Sequence, residues 1–231
     1  MMKIEDIIWD IKEIRGALED DSDLEEMWLL HKINSYRALA IQQEFSMTNS
    51  INPQWLQRVH KFKLTKCTPA DDPSIGVSSI YLSKGTLPKV ISLPEDIGTY
   101  RVAGSGAITQ FEPVDLNTLL MKIDIGEEMN SVYGFYSKVG SDLYFYPLTM
   151  EASAVIIAEN PMDVQVLDGG VLRGRTFLDD YPVDIALAQK IVLEILTKDL
   201  AIADGTITDI VNDSQNKFKI LKDEGSNSPR S

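Results

Sequence analysis

The alternation of apolar and polar positions divides the chain into helical ends and a β-rich middle. In residues 2–18 apolar side chains recur at helical spacing, which predicts an amphipathic helix with one apolar stripe. In residues 24–48 they lie on more than one side, so a second helix is expected to pack on several sides. Ser22 and Glu25 have the spacing of a capping box at its start.

The middle of the chain, residues 59–158, carries short β-forming runs between Pro and Gly positions. Just before it, Pro53 predicts a short helical turn at 53–58. The segments GTYRVAGSGAITQFEPV and SVYGFYSKVGSDLYFYPL each predict a β-hairpin. Further strands are predicted for KFKLTKC, SSIYLSK, KVISL and SAVIIAENP. About six to eight short strands favour a small barrel or sandwich.

Helical spacing returns after a glycine-containing connector at 159–180. Asp179 and Asp180 are candidate N-caps for a helix that has Pro182 in its first turn. The apolar face of this helix is broad, and Gly205 is expected to end it. A helix with such a face needs a partner to cover it.

The pattern as a whole predicts an α+β fold. The N- and C-terminal helices cannot bury their apolar faces alone, so we expect a helical bundle with an antiparallel β barrel or sandwich inserted into it. The predicted divisions are N-terminal helices at 1–58, the β domain at 59–158, the connector at 159–180, C-terminal helices at 181–221 that include a second helix at 206–221, and a flexible tail at 222–231.

Charge and composition narrow the classes of partner. The 231 residues carry a formal net charge of −13. A sequence-independent DNA binder needs a basic footprint to neutralise phosphates, so a DNA-facing surface here would guide DNA rather than grip it. The N-terminus does not have the pattern of a signal peptide, and no apolar run is long enough to span a bilayer. We therefore expect synthesis and folding in a cytoplasm, without membrane insertion.

Candidate chemistry is sparse. His31 and His60 have no second His or Cys at metal-ligand spacing. Cys67 is the single cysteine and is expected to be a small buried hydrophobe. VAGSGAIT lacks the lysine and the following helix of a phosphate loop, and DDSDLEE lacks the central glycine of a calcium loop. We expect no catalysis and no cofactor.

The aromatic hairpin at 132–146 has two interpretations. Its rings either fill the core and form cross-strand pairs, which we favour, or they present a face that binds a glycan or a peptide. The second interpretation would make the protein a monomeric binding module. It predicts that Tyr133, Tyr136 and either Tyr144 or Tyr146 share an exposed face.

Several segments together resemble a known family. They are DSDLEEMWLLHKINSYRALAIQQEF, INPQWLQRVHKFKLTKC, LPKVISLP, FYSKVGSDLYFYP, ENPMDVQVLDGG, DDYPVDIALAQKIVLEILTKDLAI and DIVNDSQN. In this order they resemble the head-to-tail connector proteins of tailed double-stranded DNA phages. Such proteins are also called adaptors, ring proteins or tail tubular proteins, and they occur in short-tailed and crAss-like phages. The resemblance covers nearly the whole chain.

The resemblance implies a structural role at the capsid–tail junction of the virion. It implies a ring, usually of twelve copies, below the portal protein, which extends the DNA channel and carries the next tail or ring protein. Double-stranded DNA would pass without specific binding, and the acidic charge fits that role. The C-terminal segment would dock on the portal, through residues chosen by their position: Phe218, Ile220, Leu221, Lys222, Pro229 and Arg230.

Overall fold

The computed structural model describes residues 2–18, 25–68, 70, 75–94, 97–104, 110–125 and 133–200. The chain separates into two compact units. A helical unit comprises Met1–Ala40 together with Val183–Ser231, and a β unit comprises Ile41–Pro182. The helical unit is therefore built from both ends of the chain. The α+β class predicted from the sequence is confirmed.

The helical unit contains α1 (Ile4–Leu18), the first part of α2 (Glu26–Thr48), and α4 (Ile185–Glu194), which continues as a π-helical turn at Ile195–Asp199. Helix α1 packs against α4 and the π-helical turn. The predicted helices at 2–18 and 24–48 are confirmed. The capping box at Ser22 lies outside the described residues.

The predicted bundle was to contain a second C-terminal helix. Residues 206–221, the flexible tail and Gly205 all lie outside the described residues, so the complete bundle stays a prediction. The start of α4 corrects the sequence interpretation. Asp184, rather than Asp179 or Asp180, caps the helix by accepting a hydrogen bond from Leu187 N at 2.8 Å, and Pro182 precedes the first turn.

The β unit contains one eight-stranded sheet in the order β1-β8-β4-β5-β6-β7-β3-β2. The strands are β1 (Gln57–Lys63), β2 (Thr65–Lys66), β3 (Ser83–Thr86), β4 (Thr99–Gly104), β5 (Gln110–Pro113), β6 (Tyr133–Val139), β7 (Asp142–Tyr146) and β8 (Glu151–Ile156). Only Leu64 separates β1 from β2, although these strands lie at opposite edges of the sheet. The sheet is therefore bent into a nearly closed barrel.

The barrel is mixed rather than antiparallel. Strands β5 and β6 pair in parallel, and α3 (Leu116–Ile125) lies between them in the chain. Parallel neighbours need a crossover, which a helix commonly supplies. Helix α3 was not predicted, although Leu119 and Ile123 are buried at helical spacing and the Asp115 carboxylate accepts a hydrogen bond from Thr118 N at 2.9 Å.

Two strand predictions are corrected. The segment SSIYLSK forms a 3-10 helix at Gly76–Tyr81, and only its end enters β3. The segment KVISL makes a single bridge, Val90 to Ala158, with no ladder. Prolines on both sides of KVISL remove backbone donors and shorten any pairing. Both predicted hairpins and the strand at SAVIIAENP are confirmed. The helical turn predicted at 53–58 is confirmed only at Pro53–Trp55, because Gln57 already begins β1.

The described core of the β unit includes two clusters, one on each face of the sheet. One cluster lies inside the barrel and includes Phe111, Tyr136 and Phe145. The rings of Phe111 and Phe145 meet edge to face with centroids 5.0 Å apart. The other cluster includes Cys67 and Tyr144 and is covered by α3. The prediction that Cys67 is buried is confirmed.

A small separate hairpin occupies the predicted connector. It consists of β9 (Val166–Asp168) and β10 (Val171–Arg173), which pair across the turn at Gly169 and Gly170. Both glycines have positive φ, which glycine adopts without a steric penalty. The 3-10 turn Pro161–Asp163 leads into the hairpin from β8.

Candidate interaction surfaces

The first candidate surface is built by a bulge in β1. The register with β8 shifts between Val59 and Phe62, where Lys61 has a φ of 39°. Val59 and Phe62 both pack against the barrel core. A β-bulge changes the direction in which side chains point. The two intervening residues, His60 and Lys61, therefore lie together on the side away from the core.

The bulge places basic side chains in a row with those of neighbouring strands. On β8, Ala154 and Ile156 face the core, so Val155 between them faces outwards. Val155 pairs with Arg58 on one side and with Arg101 of β4 on the other. With strands spaced at about 4.8 Å, the two arginine backbones lie about 10 Å apart across Val155. We call Arg58, His60, Lys61, Lys63 and Arg101 the basic face.

The basic face stands out against an acidic chain. Residues 57–66 contain Arg58, Lys61, Lys63 and Lys66 and no acidic residue, whereas the whole chain has a net charge of −13. Burial lowers the pKa of His60, and the adjacent Arg58 charge lowers it further. Among the described residues, the ion pairs include neither Arg58 nor Lys61. One carboxylate, Glu151, lies opposite Lys63 in the register.

A cleft adjoins the basic face. Strands β4 and β5 pair only at Val102–Phe111 and Ala103–Gln110, and the rest of β4 has no partner in β5. The resulting cleft of about 710 Å³ contains Arg101 and Lys138 on its walls, with Asp115 at the start of α3. It is therefore an opening in the barrel wall next to Arg101.

A second candidate surface lies on the helical unit. Four isoleucines of α1 are buried on one stripe: Ile4, Ile7, Ile8 and Ile11. Trp9 lies off this stripe and is 60% exposed. Residues three and four positions away on a helix are its surface neighbours, and here they include Glu5, Asp6 and Glu13. We call these four residues the Trp9 face.

The carboxylates of this part of α1 repel one another. Burial raises the pKa of Asp10, and the nearby Glu13 and Asp6 charges raise it further. Lys12 forms an ion pair with Glu26 at 3.0 Å and so is engaged within the helical unit. The Trp9 face thus combines an exposed aromatic ring with three carboxylates.

The chain leaves the described part of the helical unit at a fixed polar cluster. Lys32 forms an ion pair with Asp199, and Lys198 lies 6.0 Å from the centroid of the Tyr36 ring. Burial and a hydrogen bond to Asp199 raise the pKa of Tyr36 to about 12. These contacts hold the residues that immediately precede position 201.

The exposed aromatic face predicted for a glycan-binding module is wrong. Tyr133 is 61% exposed, but Tyr136 and Tyr144 are buried at 6% and 4%. Tyr136 belongs to the barrel interior, whereas Tyr144 and Tyr146 pack with the cluster under α3. The rings of Tyr136, Tyr144 and Tyr146 therefore point to opposite sides of the sheet and pack in the core, which was the favoured interpretation.

The other candidate residues lie as follows. All predicted docking residues, Phe218, Ile220, Leu221, Lys222, Pro229 and Arg230, lie outside the described residues. His31 is exposed on α2. Within the described ranges, no group of His, Cys, Asp and Glu is arranged to hold a metal ion. The described helices include none with the length and apolar content that a bilayer crossing requires.

Both surfaces were missed by sequence reasoning, although each had a signal. The run QRVHKFKLTK is visibly basic, but only the bulge and the pairing with β8 and β4 gather its charges with Arg101. Trp9 interrupts an otherwise polar helix face in the sequence. Neither signal reveals exposure, which depends on the packing of the rest of each unit.

Comparison with known proteins gives one family. A family model described as phage tail ring protein 2, of crAss-like phages, matches residues 4–224. No curated protein matches the chain. The match extends over the described parts of both units and over most of the segment after residue 200.

Proposed function

Because the chain belongs to the phage tail ring protein 2 family of crAss-like phages, we propose that its ring lies below the portal and joins the capsid to the tail. The family is one of structural virion proteins, and its members self-associate into a ring within the tail. The observation that carries the proposal is the match over residues 4–224, which spans both units. The ring would extend the DNA channel and carry the next ring or tail protein.

The charge of the chain supports passage of DNA through such a ring. The net charge of −13 per copy adds up over all copies of the ring. This negative charge repels the phosphates of duplex DNA, so the DNA can slide past without being bound. We expect twelve copies, in keeping with the resemblance to head-to-tail connectors. During ejection the DNA would then meet a lining without specific contacts.

The segment 218–231 would dock on the portal. Its apolar residues Phe218, Ile220 and Leu221 are followed by Lys222, Pro229 and Arg230. The polar cluster around Asp199 holds the last described residues of the chain, and residues 201–217 connect them to this segment. The tail would thus be attached to a rigid point while its end reaches another protein.

The location is tested by mixing the protein with the portal protein from the same genome. Sedimentation and electron microscopy should show a ring stacked on one end of the portal with the symmetry of the portal. If the protein instead binds only to an isolated tail or to another ring protein, the junction with the portal is wrong. The ring would then lie further down the tail.

The docking segment is tested by truncation and by a matched pair of variants. Removal of 218–231, and the double variant Phe218→Ala/Ile220→Ala, should each abolish sedimentation with the portal. The control Ser226→Ala/Ser228→Ala changes two polar residues of the same segment and should leave it intact. Unchanged portal binding by the truncated chain would overturn the docking role.

A further inference from the structure

Two exposed surfaces of this chain have opposite charge. The basic face of the β unit carries Arg58 and Arg101 on either side of Val155, and Lys61 in the bulge of β1. The Trp9 face of the helical unit carries three carboxylates around one indole ring. Trp9 and Arg58 are both exposed side chains.

Among the described residues, neither Arg58 and Lys61 of the basic face nor Glu5 and Glu13 of the Trp9 face take part in an ion pair. On the basic face, Arg58 acts on its neighbour His60 as a like charge. On α1, Glu13 and Asp6 act on Asp10 as like charges. Bringing the two surfaces together would place the arginine and lysine charges of one beside the carboxylates of the other, and opposite charges attract.

The shapes also correspond. Val155 is a small residue between two arginine positions about 10 Å apart, which leaves room for one large ring. An exposed tryptophan is a common anchor of protein interfaces, and guanidinium groups stack on its face. Glu5, Asp6 and Glu13 surround the ring at helix-neighbour spacing and would meet the flanking basic side chains.

We propose that the ring closes through contact between the Trp9 face of one copy and the basic face of the next copy. The two surfaces differ, so the contact is heterologous, and repetition of a heterologous contact generates a ring when the rotation closes. The inference rests on the proposed ring-forming function and names the surfaces that form the ring. The occupant of the basic face is thus a second copy of this chain, not DNA.

Charge reversal tests the contact in the full-length protein. The variants Arg58→Glu/Lys61→Glu and Glu5→Lys/Glu13→Lys should each raise the concentration for half-assembly at least about tenfold, measured by sedimentation. A chain that carries all four reversals should assemble again, because the charges are complementary once more. Failure of the fourfold variant to recover, while both double variants lose assembly, would overturn the proposal.

The control is an exchange elsewhere on the β unit. Lys89 and Glu159 form an exposed ion pair at 2.8 Å, so Lys89→Glu/Glu159→Lys preserves local charge and should leave assembly unchanged. Trp9→Ala should also raise the concentration for half-assembly, without changing any charge. Circular dichroism of each variant should remain that of wild type, since all altered side chains on the two faces are exposed or half-buried.

Two further measurements separate the alternatives. If Arg58→Glu/Lys61→Glu abolishes retention of a 30-base-pair duplex and leaves assembly unchanged, the basic face contacts DNA and the proposal is wrong. If the double variants lose assembly and the fourfold variant recovers it, but the ring does not bind the portal, then the proposed position below the portal is wrong. The proposed contact between copies is then still supported.

Discussion

Arg173 holds the β9–β10 hairpin against the segment that follows it. Its guanidinium donates to Asp179 Oδ1 at 2.7 Å and Oδ2 at 2.8 Å, and its Nε donates to Asp168 at 2.9 Å. Asp179 also accepts a hydrogen bond from Thr176 N at 2.7 Å. An isolated two-stranded hairpin is marginally stable in water, so these bonds fix its position.

Asp179→Asn should lower the free energy of unfolding by about 1 kcal/mol at pH 7, since bonds to a charged group are strong but partly screened here. Arg173 lowers the pKa of Asp179, so the native state binds this proton less tightly than the unfolded state. The contribution is complete above about pH 5 and is lost as the pH falls below about 4. Urea unfolding of wild type and Asp179→Asn should show a smaller difference in the free energy of unfolding at pH 3 than at pH 7.

Asp180→Asn is the matched control for this prediction. The Asp180 side chain is exposed, and it is the backbone carbonyl of this residue that accepts from Arg175. The free energy of unfolding of Asp180→Asn should equal that of wild type at both pH values. An equal loss in both variants would mean that net charge, rather than the Arg173 contact, determines the effect.

Gly134 allows β6 to lie directly over Phe111. A Cβ at this position would lie 2.6 and 2.7 Å from two ring carbons of Phe111 and 2.9 Å from the carbonyl oxygen of Tyr146. Gly134→Ala should therefore destabilise the β unit by about 1–3 kcal/mol through overpacking. Urea unfolding measures this, and Gly174→Ala, with no neighbouring heavy atom within 4 Å, should show no comparable loss.

At the scale of elements, the sequence interpretation and the structure differ in the residue that caps α4. Asp184→Ala should lower the free energy of unfolding by about 1 kcal/mol, because it removes the acceptor for Leu187 N. The sequence favoured Asp180 as a cap, but Asp180→Ala should lower the free energy of unfolding much less. Thermal unfolding followed at 222 nm compares the two variants. A larger loss in Asp180→Ala would place the helix start earlier.

The sequence predicted the elements whose signals are local. The stripe of α1 and the two hairpins depend on spacing and turn residues within about 20 positions. Helix α3 escaped prediction because it occupies ten residues inside a β-rich region, and the parallel pairing of β5 and β6 depends on it. Likewise, the basic face requires the bulge at Lys61 and a strand almost a hundred residues away, which no local pattern contains.

On the scale of the whole molecule, the order of segments distinguishes the two units. The β unit is one continuous segment, Ile41–Pro182, with its own core, whereas the helical unit combines the two ends of the chain. A continuous segment with its own core is expected to fold independently. The helical unit, in contrast, cannot be excised as a single segment.

The excised segment 41–182 should therefore fold and unfold cooperatively in urea, with a β-type circular dichroism spectrum. Phe145 is fully buried in its barrel, so Phe145→Ala in the same segment should lower its stability by about 3–5 kcal/mol. If the excised segment shows no cooperative transition, or if Phe145→Ala has no effect on it, the barrel core does not suffice for folding. The β unit would then depend on the helical segments on both sides of it in the chain.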